Sequence, residues 1–333
     1  MSKNKIFQAV DKLVNLDISA RGVIDILYRH AREKTKKPMA QAAAEKIEQT
    51  VTAGEPVIIA TGAALPWGES DGPPGAAVLA RTMKLAFDAV PVVLVDSTLI
   101  EATNGVIQAA GLRKVDFERA KGGGSFFAMK DFPEDDKPAK IAAEKIIREI
   151  NPSVVVTVER NGMNEKGIYH TSKGVDVTKG RAKLDYLINE AMDQGILTIG
   201  VGDGGNEIGM GNIRNAIREH IPYGTKCRCP CGSGVAPVTQ TNILVTATVS
   251  NWGAYGIAAS LSALLDRLEL LHTGSLEARI LEKSADEGFI DGVTGRVEPT
   301  VDGLSKEDHI HFVNLLGTIV TSGLAGPLLK WYK

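Results

Sequence analysis

The sequence predicts an α/β protein with a doubly wound, mostly parallel sheet, helices on both faces and a helical extension at the N-terminus. Three observations carry that prediction. Short runs rich in Val, Ile and Leu, such as "PVIIATG" and "PVVLVD", are apolar at consecutive positions, as strands covered on both faces must be. These runs alternate with segments of helical period. Each run also ends in a glycine-rich polar loop, whereas returns such as "DAVP" and "DQG" are brief, and ligands of open parallel sheets bind beyond the carboxyl ends of the strands.

Taken in order, residues 1–53 read as a helical segment packing on a main domain at 54–333. The strand "PVIIATG" is followed by a helix over Pro74–Ala89, then "PVVLVD", a helix over Leu99–Gly111 and a helical stretch over Pro138–Ile150. The alternation continues through "SVVVTVE", a helix near Arg181–Gln194, "ILTIGVG", a helix near Asn212–His220, "NILVTATVS" and a helix over Trp252–Leu268. A glycine-rich loop at 288–305 precedes a last helix near Lys306–Gly323.

Composition narrows the function. The 333 residues are 44% hydrophobic and 23% charged with a net charge of −2, so a core is affordable and no basic footprint for nucleic acid exists. The densest basic run, Arg29 to Lys37, contains Glu33 and reads as a solvated helix face. The longest apolar stretch, Ala89 to Val95, is far below the ~20 residues of a membrane helix. The N-terminus lacks a continuous apolar segment, and the three cysteines crowd into "CRCPC", so the expectation is a cytoplasmic protein without membrane or nucleic-acid partners. A homo-oligomer is left open.

Four loops carry the chemistry. In "TIGVGDGGNEIGMGN", Gly200, Gly202 and Gly205 fit a dinucleotide fingerprint after a strand, but Asp203 and Glu207 would repel a pyrophosphate and no ribose-binding acid follows at the required distance. A nucleotide is therefore not expected. Glycines let backbone approach a ligand, and Asp203, Asn206 and Glu207, with Gly204 and Gly205 between them, offer hard oxygen donors for a metal or an amine. The alternative is that the acids cap the next helix. In "GESDGPPGA", Asp71, Gly72 and Gly75 flank a proline-started helix whose free N–H groups would attract a carboxylate, or Glu69 and Asp71 would share a cation with Asp203.

In "ERNGMNEKGIYH", Glu159 is a candidate base or metal ligand and Arg160 a fork for a substrate carboxylate, with His170 as a proton carrier or a surface residue. In "SNWG", Asn251 and Trp252 would supply an amide and an aromatic wall, or a cap and a packing ring. Cys227, Cys229 and Cys231 alternate, so an extended chain would turn three thiols to one face, with His220 completing a zinc set; buried free thiols are the alternative.

Five stretches, "TG…ESDGPPGA…LAR" at 61–81, "VERNG…GIYHTSKGVDV" at 158–177, "GVGDGGNEIGMG" at 200–211, "VSNWGAYG" at 249–256 and "DGVTG…PTVDGL" at 291–304, resemble the C-terminal domain of D-glutamate cyclase. The resemblance implies conversion of D-glutamate to 5-oxo-D-proline with loss of water, aided by Mn²⁺ or Mg²⁺. It departs from the family at Asn161, where many relatives have proline, and in leaving no room for the N-terminal hydro-lyase-like domain of two-domain members, so a stand-alone form is expected. For such a ring closure the chemistry assigns a metal to Asp203 and Glu207 with Glu69 or Asp71, proton removal to Glu159, and the α-carboxylate to Arg160 and the helix start at Pro73–Ala76.

Overall fold

A computed structural model of the chain describes residues 3–62 and 68–326, and it places seven strands in one all-parallel sheet. Part of the loop quoted above, residues 63–67, lies outside the described residues. Three helices lead, α1 (Lys3–Val14), α2 (Ile24–Thr35) and α3 (Met39–Thr50). Next come β1 (Pro56–Ala60), α4 (Pro73–Phe87), β2 (Val90–Val95), α5 (Ile100–Ala109), β3 (Arg113–Lys114), α6 (Phe117–Ala120), β4 (Phe126–Asp131) and α7 (Asp136–Ile150). The second half contains β5 (Val154–Val158), α8 (Asp185–Asp193), β6 (Leu197–Gly202), α9 (Arg214–His220), β7 (Ile243–Thr246), α10 (Ser250–Leu265), α11 (Gly274–Asp286) and α12 (Lys306–Ala325).

The spatial order is β3-β4-β2-β1-β5-β6-β7. From β1 the chain winds outward one way, and from β5 the other way, so β1 and β5 are neighbours whose following loops diverge. That is the switch point at which a parallel sheet opens a crevice. Side-chain alternation splits the core in two: Val57, Ile59, Val93, Val95, Val154 and Val156 face one cluster, while Ile58, Ala60, Val92, Leu94 and Val155 face the other. α7 and α8 cover the second face. The first is covered by α4 and α10, with apolar residues of α1 and α3 joining the same cluster. α10 is buried almost along its whole length, consistent with its run of small and apolar residues.

The sequence reading differs from the structure in five places. β3, α6, β4 and α11 are not anticipated. β4 ends in Lys130 and Asp131 on exposed positions, which hides its period, and α11 is a short amphipathic helix after a 3₁₀ turn. The run "NILVTATVS" is strand only over Ile243–Thr246, since its last residues turn into α10. Among the described residues, no helix is long and apolar enough to cross a membrane.

Candidate functional site

Six carboxylates from four segments meet beyond the carboxyl ends of β1, β5 and β6. Glu69 and Asp71 follow β1, Glu159 follows β5, Asp203 and Glu207 follow β6, and Asp302 comes from the loop before α12. Asp71, Glu159, Asp203 and Glu207 are buried, Glu69 and Asp302 half-buried. Asp71, Asp203 and Asp302 each present an oxygen within 4.8 Å of the others, and Glu159, Asp203 and Glu207 do the same. Asp203 is common to both groups, so it is the hub.

The backbone is bent to bring these acids in. Glu159 has φ 46°, a left-handed conformation that a side chain with a β-carbon adopts only at a cost of about 1 kcal/mol or more. It is held there by its N–H to the Val201 carbonyl (3.1 Å) and by the Ser250 hydroxyl, which donates to Glu159 Oε2 (2.5 Å). Gly72 has φ 107°, and a β-carbon there would stand 2.8 Å from Thr61 Oγ1, so only glycine fits.

Two helix N-termini are cross-capped. Asp71 accepts from the backbone N–H of Ser250 and Asn251 (2.8 Å each) at the start of α10. Asn251 Oδ1 in turn accepts from the N–H of Gly72 (3.0 Å) and Gly75 (2.7 Å) at the start of α4. The expectation that this helix start leaves free N–H groups for a substrate carboxylate is therefore corrected: Asn251 already occupies them. Likewise Glu207 folds back on its own loop and accepts from the N–H of Asp203 (2.9 Å), Gly204 (2.5 Å) and Gly205 (2.8 Å). Those glycine amides face Glu207 instead of a ligand.

Charge is poorly balanced. Among the described residues, Arg21 is the only cation in ion-pair contact with the six: its Nη1 lies 2.5 Å from Asp203 and 3.2 Å from Asp302. Arg21 comes from the connection between α1 and α2 and nothing in the sequence signalled it. Burial, and then the Asp203 charge, pushes Glu69 and Glu207 up to about 7. The same two causes hold Asp71, Glu159 and Asp302 well above the usual carboxylate range, against the backbone bonds to Asp71 and the Arg21 charge near Asp302. Such mutual repulsion is what a bound cation relieves, and an all-oxygen donor set suits Mg²⁺ or Mn²⁺.

Other expected site residues sit elsewhere. Arg160 is turned into the core, where it forks onto Asp96 and also donates to the carbonyls of Gly62 (3.1 Å) and Ala182 (2.6 Å). Although burial acts to raise it, the Arg160 guanidinium holds the Asp96 carboxyl below its usual range. Arg160 is thus a structural ion pair and is spent before any substrate arrives. Trp252 is 2% exposed, stacks on Phe312 at 3.8 Å and donates its indole N–H to His309 Nδ1 (2.9 Å), so it packs α10 against α12 and walls no pocket. Glu69 belongs to neither close carboxylate group. Asn206 donates to the His170 carbonyl (2.9 Å), a tie within the loop scaffold.

His170 stands beside the cysteines, its Nε2 3.3 Å from Cys229 Sγ. His220 stacks on His30 and is not part of that cluster. The cysteines are not on an extended chain either; a turn at Pro230 gathers them. A further arginine was overlooked: Arg181, 2% exposed, makes no ion pair among the described residues and its Nε has no hydrogen-bond partner. Burial lowers its basicity, against the charges of Asp96 and Glu69.

A family model described as D-glutamate cyclase-like, C-terminal, matches residues 10–317. The human protein named D-glutamate cyclase, mitochondrial, is 26% identical over 275 residues, covering 79% of this chain and 40% of that protein. The chain therefore spans less than half the length of this relative. A solved structure of an actinorhodin polyketide ketoreductase with NADPH aligns over 83% of this chain and 94% of its own, at 12% identity and a TM-score of 0.28.

Proposed function

The chain belongs to the D-glutamate cyclase-like, C-terminal family, and on that premise we propose that it is a lyase closing D-glutamate to 5-oxo-D-proline with loss of water. In this reaction the amine nitrogen bonds to the γ-carboxyl carbon and one γ-oxygen leaves. The ammonium gives up two protons, and both depart with that oxygen as water, so no net proton is consumed. The chain must remove a proton from an ammonium and deliver protons to an oxygen.

The observation that carries this reading is the convergence of five close-set carboxylates and the nearby Glu69, with Arg21 as their single ion-pair partner among the described residues. An acid-lined centre attracts the ammonium of an amino acid and a hard cation alike. A divalent cation held by Asp71, Asp203 and Asp302 would offset the charge of the γ-carboxylate and polarise its carbon for attack, an effect of several kcal/mol. Glu159 suits proton transfer, because burial and neighbouring charges keep its proton affinity high and Ser250 fixes one of its oxygens. Arg181, near the Glu69 charge and without an ion pair among the described residues, is the cation for the α-carboxylate in place of Arg160.

A rival of a different class, a protein that binds a small acidic ligand without turning it over, would use the same residues. The two separate on incubation with D-glutamate and Mn²⁺, followed by NMR for 5-oxoproline. Turnover supports the lyase, binding without turnover the rival, and no binding of either compound removes D-glutamate as the substrate.

A further inference from the structure

Two long segments of the chain have neither helix nor extended strand, residues 159–184 and residues 221–242. Connections of that length inside a compact domain need something other than backbone ladders to fix them. His170 lies in the first, and Cys227, Cys229 and Cys231 in the second. The Cys227 sulfur is 3.4 Å from that of Cys229 and 3.3 Å from that of Cys231. His170 Nε2 is 3.3 Å from Cys229 Sγ and 3.7 Å from Cys231 Sγ, and all four atoms lie within 4.8 Å of one another. None of the thiols is in a disulfide.

A tetrahedral zinc with Zn–S of about 2.3 Å and Zn–N of about 2.0 Å sets its ligand atoms roughly 3.5–3.8 Å apart. The four measured separations fall close to that spacing. Three sulfurs and one imidazole are also a common structural zinc donor set, while the odd thiol excludes a fully paired disulfide framework. The surroundings suit thiolates: Asn164 Nδ2 is 3.5 Å from Cys231 Sγ and also donates to the Gly234 carbonyl at 2.8 Å.

We propose that His170, Cys227, Cys229 and Cys231 form a structural zinc site that clamps residues 159–184 to residues 221–242. The site is separate in donor chemistry from the acidic cluster, whose oxygens favour harder cations. It also has a mechanical connection to it. The His170 carbonyl accepts from Asn161 Nδ2 (3.1 Å) and Asn206 Nδ2 (2.9 Å), so the clamp fixes the peptide on which the 203–207 loop leans.

The test uses untagged, reduced full-length protein purified without chelator. Elemental analysis is expected to give about one zinc per chain. Replacing the zinc by Co²⁺ should give the visible bands of a tetrahedral cobalt site and a thiolate charge-transfer band, both lost in Cys229→Ser and Cys231→Ser. Should those variants fail to fold, the wild-type chain still decides: its thiols should react with a disulfide reagent only after a strong chelator is added. Absence of the charge-transfer band, thiols equally reactive with and without chelator, or a disulfide found by non-reducing peptide mapping would each overturn the site. Loss of zinc should lower the melting temperature whether or not D-glutamate is the substrate, which keeps this proposal distinct from the proposed activity.

Discussion

The acidic cluster and the thiol cluster are two ways of gathering donors. The first draws five close-set carboxylates, with Glu69 nearby, from four segments distant in sequence, and it is assembled by sheet topology. The second draws three thiols from five consecutive residues, gathered by one turn at Pro230, plus one histidine from a neighbouring loop. The difference teaches where each cost lies. Carboxylates brought together by a fold repel one another, and their raised proton affinities record that repulsion. Neutral thiols crowd with little penalty and become anionic only when a cation accompanies them.

The largest expected effect tests the hub of the acidic cluster. After burial, the Asp203 charge is the strongest influence on Glu69, Asp71, Glu159, Glu207 and Asp302. Asp203→Asn should lower kcat for D-glutamate by about 10³-fold, on the scale of losing a group that acts in the transition state. The fold should persist, since the change removes repulsion as well as the Arg21 pair. Near-normal turnover in a folded Asp203→Asn protein would move the chemistry elsewhere.

The two arginines give the next effect. Arg181→Met should raise KM about 10²-fold with kcat changed far less, as expected for a lost charge-assisted contact to a non-reacting carboxylate. Arg160→Met should instead destabilise the protein by about 3–5 kcal/mol, because it strands the buried Asp96 carboxylate. A KM effect at 160 and a stability effect at 181 would invert the assignment.

This contrast also shows what the sequence could carry. The strand and helix alternation indicated the sheet and the edge on which the loops gather, and Asp71, Glu159, Asp203 and Glu207 lie close together at that edge. It could not say which way a side chain turns after a strand. Glu159 takes a left-handed backbone just past the end of β5, where strand alternation no longer says how its neighbour points, and the partner that claims Arg160 lies 64 residues away at Asp96. Arg21 carries no local pattern, and Asp302, although inside the 291–304 stretch quoted above, has nothing in the sequence to bring it to the loops after β1, β5 and β6; three-dimensional closure reveals both. Capping was one of the two readings open for Asn251 and Glu207, but not its target: Asn251 caps α4 and not its own helix, and Glu207 takes the amides of its own loop and not those of the next helix.

A smaller effect concerns pH. Glu69 and Glu207 have native values of about 7 against about 4.5 for an exposed glutamate. Between those values the native state binds more protons than the unfolded chain, so stability is fully present below about 4.5 and is lost as pH rises through 7. The slope is at most about 1.4 kcal/mol per pH unit for each titrating carboxyl. In chelator-treated protein the melting temperature should fall from pH 5.5 to pH 8, and saturating Mn²⁺ should flatten or reverse the trend. A metal-free melting temperature that rises across this range would mean that the acids are not mutually repulsive.

The smallest effect probes the one peptide that the two clusters share. Asn206→Ala removes the amide that reaches the His170 carbonyl, a bond worth about 1 kcal/mol, and leaves every thiol, the imidazole and all six carboxylates in place. If the thiol clamp positions the acidic loop through this carbonyl, the variant should retain its zinc, lose about 1 kcal/mol of stability and turn over D-glutamate several-fold more slowly. Stripping zinc from Asn206→Ala should then cost less further activity than stripping it from the parent chain, because the connection through which the clamp acts has already been cut. Equal additional losses in the two proteins would show that the clusters act independently, each stabilising its own loop, with Asn161 and the surrounding backbone carrying whatever order passes between them.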